Sequence, residues 1–134
     1  MSRRSARKNA FYLVLQSDFM GFENIEQTKE VFFAVNEDIP EEDIVFTNEL
    51  ADGVCANLEK IDELIGKYAK GWSTDRMNKV DLAILRIAMY EMKFTEGTPV
   101  SVIINEAVEF AKKYSSDESP AFINGILGSA AEEA

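Results

Sequence analysis

Residues 80–94 leave no face for water. Val80, Leu82, Ala83, Ile84, Leu85, Ile87, Ala88, Met89 and Met92 spread over the whole circumference of a helix. A helix that is apolar all round belongs at the centre of a bundle, so the rest of the chain must supply helices to surround it. Arg86 interrupts the run. A cation in that setting needs a carboxylate partner, and Glu106 or Glu91 is expected to provide it, as a buried ion pair that fixes helix order.

The remaining segments read as the surrounding helices. Over 3–20, Ala6, Ala10, Leu13 and Ser17 share one face, with Phe11, Val14 and Leu15 beside them, and Gly21 stops the helix. Residues 24–36 carry Ile25, Phe32 and Val35 as one stripe. Pro40 breaks the chain, and Glu41, Glu42 and Asp43 then suit a helix N-terminus. From 41 to 70 the spacing of Val54, Leu58, Ile61, Ile65 and Tyr68 stays helical, with a break expected near Asn57. Cys55 reads as a small core residue and Trp72, after Gly71, as a packing lid. Thr98-Pro99 opens a helix over 99–114, and Ser119-Pro120 opens the last one. There Phe122, Ile123, Ile126, Leu127 and Ala130 point inward, and Gly125 and Gly128 would allow close packing. The reading is an all-α chain of about seven helices, with no sheet, in a single domain over 1–134.

Several function classes are disfavoured. The chain has no histidine, which removes the commonest general base and most zinc sites, and no glycine-rich phosphate loop. We therefore expect no enzyme, no cofactor and no metal. No stretch approaches the roughly 20 apolar residues of a membrane span, and residues 1–20 lack the apolar run of a signal peptide. With one cysteine, the expectation is a cytoplasmic protein.

Charge is unevenly placed. The chain carries −10 overall, yet Arg3, Arg4, Arg7 and Lys8 precede any carboxylate. Residues 23–63 hold thirteen carboxylates against Lys29 and Lys60. Cations at a helix start oppose the helix dipole at roughly 0.3–1 kcal/mol each, and Arg3–Arg7 and Arg4–Lys8 are like-charged pairs one turn apart. Helix propensity does not account for such a cluster, whereas a bound phosphate backbone does. Tyr12, one turn after Lys8, is placed to stack on an unpaired base. The acidic remainder suits a basic partner. A solvated arm with incidental charge is the plain alternative.

Four blocks read together resemble the NusB family of bacterial transcription antitermination factors. They are R-R-S-A-R at 3–7; Trp72 and Arg76 leading into D-L-A-I-L-R-I-A-M-Y-E at 81–91; Pro99 followed by I-N-E-A-V-E-F-A-K at 104–112; and F-I-N-G-I-L at 122–127. The resemblance implies two small helical bundles packed together. It further implies binding of a boxA-type single-stranded RNA jointly with the small-subunit ribosomal protein NusE, in a complex that joins RNA polymerase and other Nus factors during ribosomal RNA synthesis.

Carried over by position, Arg3, Arg4 and Arg7 match the family's arginine-rich RNA-binding motif, and Lys8 adjoins it. The loop from Tyr114 to Ser119 matches one that also reaches RNA. Tyr114 would stack on a base, while Glu118 and Ser119 would accept from base amino groups. Asp75 and Asp81 resemble positions at the RNA and NusE side. The run L-V-L-Q at 13–16 lacks the aromatic that many relatives carry near Leu15, and Pro120 and Ala121 stand where relatives often have polar or basic residues. The alternative function is a helical interaction module or homodimer that does not touch RNA.

Overall fold

A computed structural model, describing residues 3–133, places seven α-helices around the apolar segment: α1 (Arg3–Met20), α2 (Ile25–Val35), α3 (Glu41–Ala56), α4 (Leu58–Tyr68), α5 (Lys79–Phe94), α6 (Val100–Tyr114) and α7 (Ser119–Glu132). No strand occurs among the described residues. Every side chain from Asp81 to Met89 is buried, so α5 is the central helix that its composition requires. Its start is set by Asn78, whose Oδ1 accepts the Asp81 backbone N–H at 2.7 Å.

Helix α1 joins two cores. Its Leu13 meets Ile25, Phe32 and Ala51 in a small core shared with α2 and α3. Its Ala10, Phe11 and Val14 enter a larger core built on α5 with α4, α6 and α7. The wide apolar face of α1 is what lets one helix serve both bundles.

The break in the 41–70 segment falls at Asn57, and its cause is local. The Asn57 side-chain amide donates to the Gly53 carbonyl at 2.9 Å, and its backbone N–H donates to the carbonyls of Gly53 and Val54. These bonds satisfy the last carbonyls of α3 and free α4 to turn away. Gly53 itself lies against the Tyr90 ring, where an added Cβ would overlap Cζ. That glycine, not Gly125 or Gly128, makes the close approach: a Cβ at either of the latter would meet nothing within 4 Å.

Three further expectations are corrected. Val35 is 76% exposed, because ten residues of helix rotate it well away from Ile25. Thr98 does not cap α6, whose N-cap residue is Pro99. Arg86 pairs with neither Glu106 nor Glu91. Its Nη1 donates to Asp18 of α1 at 3.0 Å, and its Nε and Nη2 each donate to Asp62 of α4 at 2.9 Å. Glu91 lies five residues further along α5, about 140° around the helix, and faces the start of α1. There it takes both donors of Arg7, Nε at 2.7 Å and Nη2 at 2.9 Å. Asp18 and Arg7 thus tie the two ends of α1 to α5. Cys55 is half-buried, with Sγ 3.6 Å from the Phe22 carbonyl, and burial pushes its thiol pKa up. Trp72 remains 52% exposed and meets the Phe122 ring edge-on at 5.8 Å.

Two stability outcomes follow. Gly53→Ala should destabilise by about 1–3 kcal/mol, since overpacking against Tyr90 outweighs the roughly 1 kcal/mol gained in helix propensity; urea denaturation compares it with wild type. Arg7→Ala should cost about 3–5 kcal/mol by leaving Glu91 buried and unpaired, whereas Arg7→Met with Glu91→Leu should recover most of that loss.

Candidate nucleic-acid interface

The basic start of α1 does not act as one block. Residues 3 and 7 are one turn apart, as are 4 and 8, and the two pairs lie about 100° from each other around the helix. The Arg3 guanidinium sits 4.1 Å above the Phe46 ring of α3, and that of Arg7 lies 5.6 Å from the same ring. Arg4 and Lys8 turn the other way, toward α6.

Arg7 is only 6% exposed, with its donors committed to Glu91. Its guanidinium pKa is raised chiefly by that hydrogen bond. Arg7, expected at the phosphate-gripping motif, is placed where its cation is already neutralised and shielded from solvent. It anchors the helix that presents its neighbours.

Arg4 is oriented from beneath. Glu106 of α6, itself buried, accepts from Arg4 Nε and Nη2 at 2.7–3.1 Å, while the Arg4 side chain stays 64% exposed. The Glu106 hydrogen bond and charge raise the Arg4 pKa. The role expected for Glu106 beside Arg86 is performed here instead, on the surface arginine.

Between α1 and α6 lies an open groove lined by Arg4, Lys8, Lys112, Lys113, Phe110 and Tyr114, with Glu106 and Glu109 also lining it. Four cations and two aromatic rings share one face. Tyr114 is held by packing: its ring is 5.6 Å from that of Phe11, 6.1 Å from Tyr12 and 6.2 Å from Phe110. The Lys113 ammonium lies 5.6 Å from the Tyr114 ring. Tyr12 is half-buried; burial and then the adjoining Tyr114 phenol raise its pKa above the ordinary value. Tyr12 therefore supports Tyr114 from the side as part of this aromatic cluster.

The α6–α7 loop is fastened to α5 through Asp81. Ser115 Oγ donates to Asp81 Oδ1 at 2.5 Å and Ser119 Oγ to Oδ2 at 2.9 Å, while Ser116 Oγ is 2.8 Å from Ser119 Oγ. Asp81 and Ser119 are 6% and 2% exposed. Expected at the partner and RNA contacts, both are placed as internal groups that shape the loop, bonded to one another. Asp117 and Glu118 remain exposed on that loop, and Asp75 is exposed on a 3-10 turn at Thr74–Arg76.

Sequence reasoning missed Phe110, Lys112 and Lys113 as groove residues. Two lysines in a last helical turn are explained by the helix dipole alone, which hid them. The signal that would have found them is their position immediately before the loop already singled out. No group of three or more His, Cys, Asp or Glu side chains converges as a metal site among the described residues, and no described helix is long and apolar enough to cross a membrane.

Comparisons with known proteins place this geometry. The NusB family model matches residues 4–132. A transcription antitermination protein NusB from Acetivibrio thermocellus is 44% identical over 128 residues, covering 96% of this chain and 87% of that protein. The crystal structure of T. maritima NusB superposes with a TM-score of 0.91 at 35% identity, covering 99% of this chain and 92% of that one. A chain from the crystal structure of antitermination factors NusB and NusE in complex with dsRNA gives a TM-score of 0.89 at 24% identity, covering 98% of this chain and 97% of that chain, a likeness of fold alone. On the family match and these full-length relatives, the chain belongs to the NusB family.

Proposed function

We propose that this protein is a transcription antitermination factor, without catalytic activity, that holds a boxA-type single-stranded RNA in the α1–α6 groove together with NusE. The observation that carries the reading is the convergence of Arg4, Lys8, Lys112 and Lys113 with Phe110 and Tyr114 on one open face. Cations that track phosphates, beside rings that stack on bases, are the combination that unpaired nucleic acid requires. Duplex RNA fits less well, since its bases are already stacked and its major groove is closed to side chains.

Each group has a distinct task. Lys8, Lys112 and Lys113 are exposed, and each can neutralise a phosphate. Arg4, steadied by Glu106, keeps an exposed side chain whose positive charge adds to the attraction for phosphate. Tyr114, braced by Phe11 and Tyr12, supplies a stacking surface at little entropic cost. Glu118 and Asp117 can accept from base amino groups, which lets an acidic loop take part in RNA recognition. Arg3 lies toward α3 and serves as a peripheral cation that draws RNA in.

NusE, a basic ribosomal protein, suits the carboxylate-rich remainder of the chain, with Asp75 as the exposed candidate contact. RNA polymerase and other Nus factors then join through the assembled complex.

The test is a gel-shift series with boxA RNA and a scrambled RNA, each with and without NusE. BoxA should bind more tightly, and NusE should increase that affinity; equal binding of both RNAs with NusE present rejects the reading. Lys8→Ala, Lys112→Ala and Lys113→Ala should each weaken binding, and each lost phosphate contact should lower the salt slope of log K by about 0.7. Asp75→Lys should reduce NusE affinity in titration calorimetry while the RNA affinity of the isolated chain does not fall.

A further inference from the structure

A second face is built for a protein ligand. Eight large apolar side chains are exposed among the described residues; Met20 and Val31 line one groove between the end of α1 and α2, with Phe19 beside Met20 in the chain and Val35 one turn further along α2, all four at 65–76% exposure. Between these helices runs a groove lined by Gln16, Met20, Asn24, Gln27, Thr28 and Val31, with no charged residue in its wall. In a chain of net charge −10, an uncharged groove of this kind is conspicuous.

Its polar lining is less polar than it reads. The Asn24 amide donates to the Met20 carbonyl at 2.9 Å, and the Thr28 hydroxyl donates to the Asn24 carbonyl at 3.2 Å. With those donors spent on backbone, the groove presents methyl and methylene groups between two glutamine amides. Asn24, Thr28, Val31 and Val35 succeed one another at intervals of four, three and four, the seam by which one helix receives another. On that seam Val31 and Val35 stay largely exposed among the described residues.

The edges identify the occupant. Glu30 of α2 and Glu23, in the turn before it, are both exposed, and beyond Val35 the wall between α2 and the start of α1 carries the exposed Glu37 and Asp38. Lys29, the cation nearest in sequence, is buried and held by Asp52. Carboxylates along an apolar groove repel RNA and anionic lipid, and they also disfavour a second copy of this acidic chain. They suit a helix with an apolar stripe and a lysine or arginine edge.

We infer that the α1–α2 groove docks an amphipathic helix with a basic edge, belonging to a protein partner. The groove is distinct from the RNA face, since Met20 lies about 18 Å along α1 from Lys8.

The probe is a synthetic amphipathic peptide of about five helical turns, with leucines at helical spacing and lysines along one edge. Added to the full-length protein labelled with 15N, it should shift the amide resonances of Gln16, Met20, Asn24, Gln27, Thr28 and Val31. Val31→Glu should weaken peptide binding about ten-fold or more and leave boxA RNA binding unchanged, so this site and the RNA site are judged separately. Glu23→Lys with Glu30→Lys should reverse the preference, favouring a peptide whose edge lysines are replaced by glutamates. Shifts confined to other residues, equal binding of both peptides to wild type, no binding at all, or a homodimer in light scattering that Val31→Glu dissolves would each overturn the inference.

Discussion

The burial of α5 on every side is the constraint from which the architecture follows. A helix with no solvent face must be enclosed, and 134 residues suffice to enclose it once. Enclosure carries an electrostatic demand, because Arg86 and Glu91 lie within the buried run. Each is met by α1, Arg86 through Asp18 and Glu91 through Arg7. Apolar packing therefore brings α1 against α5, and the two ion pairs select how it lies there. Loss of one partner would leave a buried charge, which makes these contacts more important for uniqueness than for net stability.

This anchoring explains why the basic start of α1 is divided. About 100° of helix rotation separates the pair that faces α3 from the pair that faces α6. Arg7 is drawn inward by Glu91, and that inward position carries Arg4 and Lys8 to the groove rim. Glu106 then fixes the fork of Arg4 from below. Arginines three residues apart thus meet unlike surroundings, one buried against Glu91 and one at the surface beside Glu106, because helical rotation sends them to different neighbours.

Much of the fold is legible from local pattern. The bounds of α1, the central position of α5 and the break at Asn57 all follow from apolar spacing and from residues that act on their own backbone. What escapes is information held between distant segments. Gly53 reads as an ordinary helical glycine until Tyr90 packs against it. Arg86 lies among carboxylates that are plausible by proximity in the sequence, but helix rotation assigns it to Asp18 and Asp62. For the interface, the family blocks led to α1 and to the α6–α7 loop, while Lys112 and Lys113 required the juxtaposition of α1 with α6. Asp81 and Ser119 show the converse: polar residues of a candidate loop can also be its internal scaffold.

That scaffold has a kinetic consequence. Ser115 and Ser119 are already clasped by a carboxylate at the first turn of α5, so the bend between α6 and α7 takes its form when the protein folds. A ligand docking there would not have to freeze a wandering loop, and the entropy of that segment would not be charged against association. On the proposed reading, recognition there would be a rigid template meeting a pliable chain, with the loss of freedom falling on the nucleotides.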